Sequence, residues 1–268
     1  MTTSVIGVAI EAARQGAEAA QAVRDRPREI TSKGFRDDVT DADYAAQQAI
    51  LTVIRAAFPT QPIVSEENPS GVAVRAWQPP DDIWWLVDPL DGTTNFSRGI
   101  PHYCVSVAVL HGPTLIGGAI CDPNRNHLFY AERGQGAYLN DRRLHVSERA
   151  DLAEAVLEVA LARQQDDRRR GLAVFNRLAL LSRTVRSMGA AALSLAHVAA
   201  GWLDGYVHLT LRPWDSAAGG LMIQEAGGRL SLPDGSEWAG RFAPVVAANA
   251  ALHPAILTEV QQTLAALD

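Results

Sequence analysis

The spacing of apolar residues along the chain predicts two helices followed by a sheet. Apolar positions recur at helical spacing over residues 5–23 and 42–58, with a polar turn at residues 33–38 between them. From Ile83 onward, short runs of β-branched and aromatic residues alternate with Gly, Pro and Asn turns. These runs predict a meander-like, antiparallel sheet with strands at residues 83–87, 103–110, 115–121 and 127–132.

Beyond Leu144, strand-like and helix-like segments alternate, which is typical of an α/β layer. The pattern predicts strands near residues 156–160, 185, 206–209, 230 and 245–248. It predicts helices near residues 172–182 and 191–200, after Trp214, and from Pro254. We therefore expect an α+β half over residues 1–144 and an α/β half over residues 145–268, with a ligand site favoured at their interface.

Composition and charge are those of an ordinary globular chain. Of the 268 residues, 47% are hydrophobic and 20% are charged, and the formal net charge is -6. This charge gives no basic surface for duplex nucleic acid, so nucleic acid is not expected as a partner.

The N-terminal stretch has the pattern of neither a signal peptide nor a membrane span. Cys104 and Cys121 lie in apolar segments, where we expect free thiols, and the protein is predicted to be cytoplasmic without a membrane partner.

The run from Asp88 to Phe96, Asp-Pro-Leu-Asp-Gly-Thr-Thr-Asn-Phe, is the most informative motif. The proline biases Asp88 toward an extended backbone, and Gly92 can adopt a conformation that other residues avoid. The two aspartates of the motif can then converge on one point. The amides of Gly92, Thr93 and Thr94 would begin a helix, where unpaired N–H groups bind anions. The motif therefore predicts a cation site next to a phosphate site.

Two further acidic positions accompany this motif. Glu66 and Glu67 follow a short predicted strand, and Asp215 precedes small residues that lead into an apolar helix. Carboxylate and carbonyl oxygens without histidine or thiolate suit Mg²⁺, Mn²⁺ or Ca²⁺, and among these we favour Mg²⁺. Each motif alone has an ordinary interpretation, as a turn aspartate, a solvated glutamate pair or a helix N-cap. Their combination is what favours a metal site.

Three segments together closely resemble the motifs of the inositol monophosphatase family: Glu66-Glu67, the run from Asp88 to Phe96, and the segment from Trp214 to Gly219. The resemblance also takes in residues 38–43 and 225–228 and covers nearly the whole chain. It implies the layered α-β-α-β-α sandwich shared with fructose-1,6-bisphosphatase, usually assembled as a homodimer. It also implies Mg²⁺-dependent, lithium-sensitive hydrolysis of small phosphate monoesters, with water as the nucleophile.

The resemblance assigns roles residue by residue. Glu67 matches a residue that acts through a water molecule on the metal, and Thr93 with Asp43 matches the pair that positions and deprotonates the attacking water. The phosphate-binding amides correspond to Gly92, Thr93 and Thr94. Two or three Mg²⁺ ions are implied, with ligands at Glu66, Asp88, the backbone carbonyl of Leu90, Asp91 and Asp215.

The substrate pocket is where the chain departs from the family pattern. Members that favour inositol monophosphate usually carry a glutamate at the position of His208, where it accepts hydrogen bonds from ring hydroxyls. Gly189, Ala190 and Ala191 keep the small residues that line the pocket, with Ala190 where a hydroxyl is common. We therefore expect an inositol-1-phosphate type phosphatase with broad or shifted specificity. Related branches leave three other substrates open: histidinol phosphate, fructose 1,6-bisphosphate and 3'-phosphoadenosine 5'-phosphate.

Two interpretations from other functional classes also stay open. The chain could be a catalytically idle member that acts as a regulatory binding partner, although all four side-chain metal ligands are present. It could instead be a calcium-binding module, although the threonine-rich turn beyond Asp91 would then have no role. Mg²⁺-dependent turnover separates an enzyme from both.

Overall fold

A computed structural model describes residues 4–24, 30–34, 37–67, 81–239 and 244–267 of the chain. Its helices are α1 (Val5–Ala22), α2 (Asp41–Ala57), α3 (Thr93–Ser97), α4 (Gln165–Leu181), α5 (Ala191–Ala199), α6 (Pro213–Glu225) and α7 (His253–Ala265). Within these ranges, none of the helices combines the length and the apolar character that crossing a lipid bilayer requires.

A short hairpin and a seven-stranded sheet occupy the first half of the chain. The hairpin is β1 (Ile30–Gly34) and β2 (Asp37–Thr40), at the predicted polar turn, whose residues 35 and 36 lie outside the described residues. The sheet strands are β3 (Ile63–Ser65), β4 (Ile83–Asp91), β5 (Cys104–His111), β6 (Thr114–Asp122), β7 (His127–Glu132), β8 (Gly136–Leu139) and β9 (Arg142–Arg143), and they lie in that order.

The strands β4 to β7 form the predicted antiparallel meander, whereas β3 pairs with β4 in parallel. A parallel neighbour needs a long connection instead of a tight turn, and residues 66–82 provide it. The parallel pairing therefore brings the carboxyl ends of β3 and β4 to the same edge of the sheet. This edge is where both predicted acidic motifs begin.

A five-stranded sheet is formed by the second half. Its strands are β10 (Val156–Val159), β11 (Thr184–Arg186), β12 (Gly205–His208), β13 (Gly228–Ser231) and β14 (Val245–Asn249). They lie in the order β11-β10-β12-β14-β13. β10 runs parallel to β11 and β12, and β14 runs antiparallel to β12 and β13.

Alternation of side chains along the strands creates the layers. On β4, Trp85 and Val87 pack into a core with α1 and α2, whereas Trp84 and Leu86 point to the opposite face. That opposite face joins a middle core in which α5 and α6 lie between the two sheets. On β10, Leu157 and Val159 point outward into a third core with α4 and α7.

The order of layers is therefore α1 and α2, the seven-stranded sheet, α5 and α6, the five-stranded sheet, and α4 and α7. This order confirms the predicted α-β-α-β-α sandwich. Helix α6 packs closely on the seven-stranded sheet. A Cβ atom added to Gly118 on β6 would lie only 2.9 Å from the Cβ atom of Ala218 on α6. Small residues such as Ala218 in α6 thus allow this close packing.

Helix α4 begins seven residues earlier than the apolar pattern predicts, at Gln165 instead of near residue 172. Residues 165–170 are all polar and none of them is fully buried, so hydrophobic periodicity could not reveal them. Asp166 and Asp167 lie in the first turn, where negative charge favours a helix start, and Asp166 pairs with Arg169 at 3.6 Å. Local charge chemistry therefore explains the extension.

Candidate active site

A bulge at the end of β4 brings Asp88 and Asp91 to the same side. Asp88 is the partner of Ser106 on β5, but Asp91 is the partner of Cys104, so β4 has one extra residue between the two pairs. Pro89 lies in this interval and has no N–H to donate to the ladder. Side chains three residues apart point to opposite faces of a regular strand, and the extra residue cancels that alternation. The bulge therefore brings the two carboxylates together.

Asp91 is held by the other half of the chain. Its Oδ1 accepts a hydrogen bond from the amide of Ala191 at 3.0 Å, and its Oδ2 accepts one from the amide of Ala192 at 2.7 Å. The thiol of Cys104 lies 3.6 Å from Oδ2. Burial raises the pKa of Asp91 to about 6, although these amide hydrogen bonds act in the opposite direction. The first turn of α5 thus fixes the direction in which Asp91 presents its oxygens.

Asp88 is at the centre of a group of acids. Burial raises its pKa well above the usual range, and the charges of Glu66, Asp91, Asp215 and Asp43 raise it further. Burial also raises the pKa of Asp215 to about 7, and the charge of Asp91 adds to that effect. Four carboxyl groups, from the turn after β3, from β4, from α2 and from α6, therefore lie within electrostatic reach of Asp88.

The side chains of Asp43 and Thr93 meet beside this group. Thr93 Oγ1 lies 3.2 Å from Asp43 Oδ1 and 3.0 Å from the carbonyl oxygen of Leu90, so its hydroxyl has two acceptors available. The other oxygen of Asp43 accepts hydrogen bonds from the amide and the hydroxyl of Thr40, at 2.8 Å and 2.7 Å. Asp43 is buried, and its orientation is fixed by the residue that precedes α2. The pair predicted from the family pattern is therefore in contact.

Glu66 and Glu67 form the turn that follows β3. The amide of Glu66 donates to the carbonyl of Val87 at 3.1 Å, which ties the turn to β4. Gln47 donates to the backbone carbonyl of Glu67 at 2.9 Å and accepts from the hydroxyl of Ser65 at 2.5 Å. Sequence reasoning missed Gln47. The sequence signal was limited to a polar residue one helical turn after Asp43 on α2, and its burial is known only from the structure.

Gly92 has the left-handed backbone conformation that the motif predicted, with φ of 94°. A Cβ at this position would lie 3.1 Å from the carbonyl oxygen of His102, 3.2 Å from Cβ of Tyr103 and 3.3 Å from Cβ of Ala190. Conformation and crowding therefore both require glycine. The three predicted phosphate-binding amides belong to this glycine and to the first two residues of α3, so they lie on one bend of the chain.

The predicted substrate segment lies against this bend. Asn95 on α3 donates from its amide nitrogen to the carbonyls of Met188 and His102, each at 2.8 Å. Gly189 follows with φ of 81°, and Ala190 is buried beside Gly92. Sequence reasoning included Asn95 in the motif but gave it no role. Its side chain joins the segment before α5 to the bend at Gly92.

His208 lies at the end of β12 with part of its side chain open to solvent. Its Nδ1 accepts a hydrogen bond from the amide of Thr210 at 3.0 Å, and its ring lies 6.3 Å from that of Tyr206. Burial lowers the pKa of His208 to about 4, and the charge of Arg163 lowers it as well. The same arginine lowers the pKa of Asp215. At neutral pH the ring is therefore uncharged, and it lies near a cation that also faces the acidic group.

The donor chemistry of the acidic group fits Mg²⁺. As the side chains stand, no three His, Cys, Asp or Glu groups among the described residues are gathered tightly enough to enclose an ion. The available donors are nevertheless carboxylate oxygens and the Leu90 carbonyl, which Mg²⁺ prefers over nitrogen and sulfur ligands. Their raised pKa values mean that ionisation costs free energy in this place, and a divalent cation would offset that cost.

Comparison with known sequences identifies the family. The profile of the inositol monophosphatase family matches residues 1–265. The chain belongs to the inositol monophosphatase family. Among its relatives is the Nus factor SuhB of Pasteurella multocida, which is 39% identical over 265 residues covering 97% of each chain. Another is the chloroplastic phosphatase IMPL1 of Arabidopsis thaliana, which is 37% identical over 93% of this chain and 68% of the plant protein.

Solved structures support the same membership. The extragenic suppressor protein suhB of Bartonella henselae superimposes with a TM-score of 0.88 at 32% identity, covering 96% of this chain and 98% of the other. The inositol monophosphatase family comprises Mg²⁺-dependent phosphatases that act on small phosphorylated substrates. Both the predicted family and the predicted fold are thus confirmed. The roles of single residues stay predictions.

Proposed function

We propose that the protein is a Mg²⁺-dependent phosphatase that hydrolyses phosphate monoesters of the inositol 1-phosphate type, with broad or shifted specificity. The observation that carries this proposal is the group of acids around Asp88. Buried carboxylates that raise one another's pKa destabilise a fold and concentrate at functional sites. Membership in the inositol monophosphatase family supports the same class of reaction.

The proposed metal ligands come from three segments of the chain, namely the turn after β3, strand β4 and helix α6. Two or three Mg²⁺ ions would be held by Glu66, Asp88, the carbonyl of Leu90, Asp91 and Asp215. Bound Mg²⁺ would lower the pKa of a water molecule and offset negative charge on the phosphate. The amides of α5 that hold Asp91 support its role, because partners that orient a ligand strengthen metal binding.

The proposed route for the proton of the attacking water runs through Thr93 and Asp43. A threonine hydroxyl that donates to Asp43 keeps lone pairs that accept a hydrogen bond from water. Asp43 can receive the proton because Thr40 holds only one of its two oxygens. Glu67, whose backbone is held by Gln47, would orient a water molecule next to the ions.

The proposed phosphate contacts are the amides of Gly92, Thr93 and Thr94. Hydrolysis of a phosphate monoester depends mainly on alignment and charge, and it needs little covalent help from the protein. A bend with fixed φ provides that alignment without side-chain reorganisation. The part of the substrate beyond its phosphate would contact Gly189, Ala190, Ala191 and His208.

The environment of His208 bears on the choice of substrate. Because Nδ1 accepts from Thr210, the hydrogen of the neutral ring is on Nε2. The ring therefore offers a donor where a glutamate would offer acceptors, and Arg163 adds positive charge nearby. A hydroxyl can accept from this donor as well, but the charge of Arg163 favours a substrate with a second anionic group over one whose remaining groups are neutral hydroxyls. Fructose 1,6-bisphosphate and 3'-phosphoadenosine 5'-phosphate, each with a second phosphate group, accordingly stay alternatives. Histidinol phosphate stays an alternative through the family resemblance alone.

The decisive experiment measures release of inorganic phosphate from these three compounds and inositol 1-phosphate, with and without Mg²⁺. We expect release that depends on Mg²⁺, and the ranking by kcat/KM names the substrate class. Asp88→Asn should lose most activity and remain folded. Asp122→Asn is the matched control, since Asp122 is also a buried aspartate but pairs with Arg125 at 2.9 Å. Normal rates in Asp88→Asn at saturating Mg²⁺ would contradict the assignment.

Three further properties belong to the same proposal. We propose a homodimer and inhibition by lithium, which the family resemblance implies, and a cytoplasmic location, which is expected from the two free thiols and the N-terminal pattern. Light scattering during gel filtration tests the first, and a mass equal to the 28.8 kDa of one chain would contradict it. Lithium titration in the phosphate-release assay tests the second. Imaging of a tagged chain in cells tests the third.

A binding role alongside catalysis is the second candidate. Relatives that cover 97% of this chain carry the name Nus factor, which is not the name of an enzyme. Such a role would use surfaces outside the acidic group. The test replaces the native chain in cells by the Asp88→Asn variant. Normal growth of these cells, despite the loss of phosphate release, would favour a binding role. A growth defect that accompanies the loss of phosphate release would favour catalysis.

A further inference from the structure

Met188 lies at a junction between the two halves of the chain. Its carbonyl accepts a hydrogen bond from Asn95 of α3 at 2.8 Å. Its amide donates to Oε1 of Glu158 on β10 at 2.9 Å. The residue is therefore held on one side by the helix that follows the Asp88 motif, and on the other side by the five-stranded sheet.

Glu158 is unusual for its place in the fold. It lies in the second strand of the sheet, opposite Arg186 on β11 and Tyr206 on β12 in the strand register, and only 1% of it is exposed. Its neighbours Leu157 and Val159 point into the outer core, so the Glu158 side chain points to the inner face, toward α5. Burying a carboxylate there opposes folding unless it makes specific hydrogen bonds.

The hydrogen bonds of Glu158 go to the segment that leads into α5. Burial raises its pKa, and contacts with the amide of Met188, the hydroxyl of Ser194 and the amide of Gly189 oppose that rise. Only Oε1 has a hydrogen bond of good geometry, because within the described residues the buried Oε2 has no such partner. One acceptor oxygen therefore carries the strongest contact with this segment.

The same segment continues to the proposed metal ligand. Three and four residues beyond Met188, the amides of Ala191 and Ala192 donate to the two oxygens of Asp91. Gly189, between them, has a left-handed φ of 81° and is exposed, so the backbone at this point has little packing of its own. A contact that fixes Met188 therefore limits where the two amides can lie.

We propose that Glu158 is a positioning residue, which fixes the segment 188–192 so that the amides of Ala191 and Ala192 orient Asp91 for metal binding. This inference rests on the proposed function only in taking Asp91 as a metal ligand. Glu158 touches neither substrate nor metal. Its effect passes through the backbone of the segment and through Asp91.

The test compares Glu158→Leu with Glu158→Gln and with Glu225→Leu. Leucine fills the space without an acceptor, whereas glutamine keeps an acceptor oxygen for the Met188 amide. Glu225 is the matched control because its carboxylate also holds a loop, accepting from the amides of Gly134 and Gly136 at 2.8 Å and 2.9 Å. That loop lies outside the proposed site.

Three readouts separate positioning from general destabilisation. The rate of amide hydrogen exchange in the peptide that covers residues 188–195 should rise in Glu158→Leu. In Glu225→Leu this rate should equal that of the native protein. Calorimetric titration with Mn²⁺ should give affinity about tenfold weaker in Glu158→Leu, the scale on which metal sites respond to loss of an orienting partner. The Mg²⁺ concentration for half-maximal activity should rise by the same factor, with a smaller change in KM. Glu158→Gln should restore most of each property.

The proposal would be overturned if a folded Glu158→Leu protein kept both the native rate of hydrogen exchange at residues 188–195 and the native affinity for Mn²⁺. If the leucine variant fails to fold, Glu158→Asp, which withdraws the carboxylate by one methylene, replaces it in the same comparison with the same decisive outcome. Absence of phosphatase activity in the native protein would count against the proposed function alone, because exchange and Mn²⁺ binding are measured without turnover.

Discussion

Asp43 and Asp215 occupy the same position in two different helices, and each accepts a hydrogen bond from the residue that precedes its helix. Asp43 Oδ2 accepts from the amide of Thr40 at 2.8 Å, and Asp215 Oδ2 accepts from the amide of Arg212 at 3.0 Å. Each is the third residue of its helix. Helix capping thus uses one oxygen of each acid and sets the direction of the whole carboxylate. The interpretation of Asp215 as the N-cap itself is wrong, because Arg212 is the N-cap and Asp215 is the third residue of α6. Its contact with the Arg212 amide is nevertheless compatible with a role as metal ligand.

Capping and charge at Asp215 can be separated with two substitutions. Asp215→Asn keeps an acceptor for the Arg212 amide, so we expect stability close to native but a large loss of activity. Asp215→Ala should lose activity and also about 1 kcal/mol of stability from the missing cap, partly offset by relief of charge repulsion. Urea unfolding and phosphate release measure the two effects. Equal stability of the asparagine and alanine variants would show that the cap contributes little.

The hydroxyl of Thr93 provides the second prediction. Thr93→Ala should lower kcat by about 10²- to 10⁴-fold, the usual range for losing a positioned proton-transfer group, with a smaller effect on KM. Thr93→Ser keeps the hydroxyl within reach of Asp43 and should retain most of the rate. If serine fails to rescue the activity that alanine loses, the hydroxyl is not the active feature of this side chain.

Gly92 and Gly99 form a matched pair for backbone strain. Both have positive φ, 94° and 75°, but a Cβ at Gly99 would have no atom within 4 Å, whereas one at Gly92 would be crowded. Gly99→Ala should cost about 1 kcal/mol through conformation alone, and Gly92→Ala should cost more and also reduce activity. Thermal unfolding and kinetics on both variants test the difference. Similar behaviour of the two would mean that crowding at the bend is relieved easily.

The raised carboxyl pKa values predict how the metal-free protein responds to pH. Burial raises the pKa of Asp91 to about 6 and that of Asp215 to about 7, above the usual 3.8 expected in the unfolded chain. The folded state therefore binds more protons between about pH 4 and pH 7, and stability falls as the pH rises through this window. Each unit of pKa difference corresponds to about 1.4 kcal/mol.

In a chelating buffer, denaturant unfolding should therefore give a less stable protein at about pH 8 than at about pH 5. Added Mg²⁺ should restore stability mainly at the higher pH, where the carboxylates are ionised. Asp215→Asn is the control and should have a weaker pH dependence. Stability that is flat over this range, or that rises with pH, would mean that these acids do not have raised pKa values in the folded chain.

His208 gives a prediction about substrate ranking. His208→Glu replaces a neutral ring donor by acceptors, so it should raise kcat/KM for inositol 1-phosphate relative to fructose 1,6-bisphosphate. Arg163→Gln should move the ranking in the same direction, because it removes the positive charge that acts on His208. An unchanged ranking in both variants would mean that another residue recognises the substrate.

Local chemistry explains why part of the site could be predicted from the sequence. Pro89, Gly92 and the neighbouring aspartates act through their own backbone preferences, and those preferences are the same in any fold. The helices α1 and α2 and the antiparallel meander could be predicted because the spacing of apolar residues along the chain is also a local property. The polar start of α4 lacked such a period, and it was predicted too late.

Contacts between distant parts of the chain could not be predicted in this way. Asn95 meets Met188 across 93 positions, and Asp91 meets Ala191 across 100, so nothing near either partner indicates the pairing. Glu158 and Gln47 read as ordinary polar residues in a strand and a helix. Their roles follow from burial, which depends on which layer each face of an element packs against.

The sequence by itself determined the family and carried the set of acids, because these depend on residue types and spacing within the chain. The layered sandwich was expected only as what the family resemblance implies. Only the tertiary structure decided that the charges of four other carboxyl groups act on Asp88, and that the pKa values of Asp88, Asp91 and Asp215 are raised. Desolvation and charge interactions depend on distance and burial, and these exist only once α6 and the five-stranded sheet pack against the first half. The tertiary structure likewise decided which amides hold Asp91.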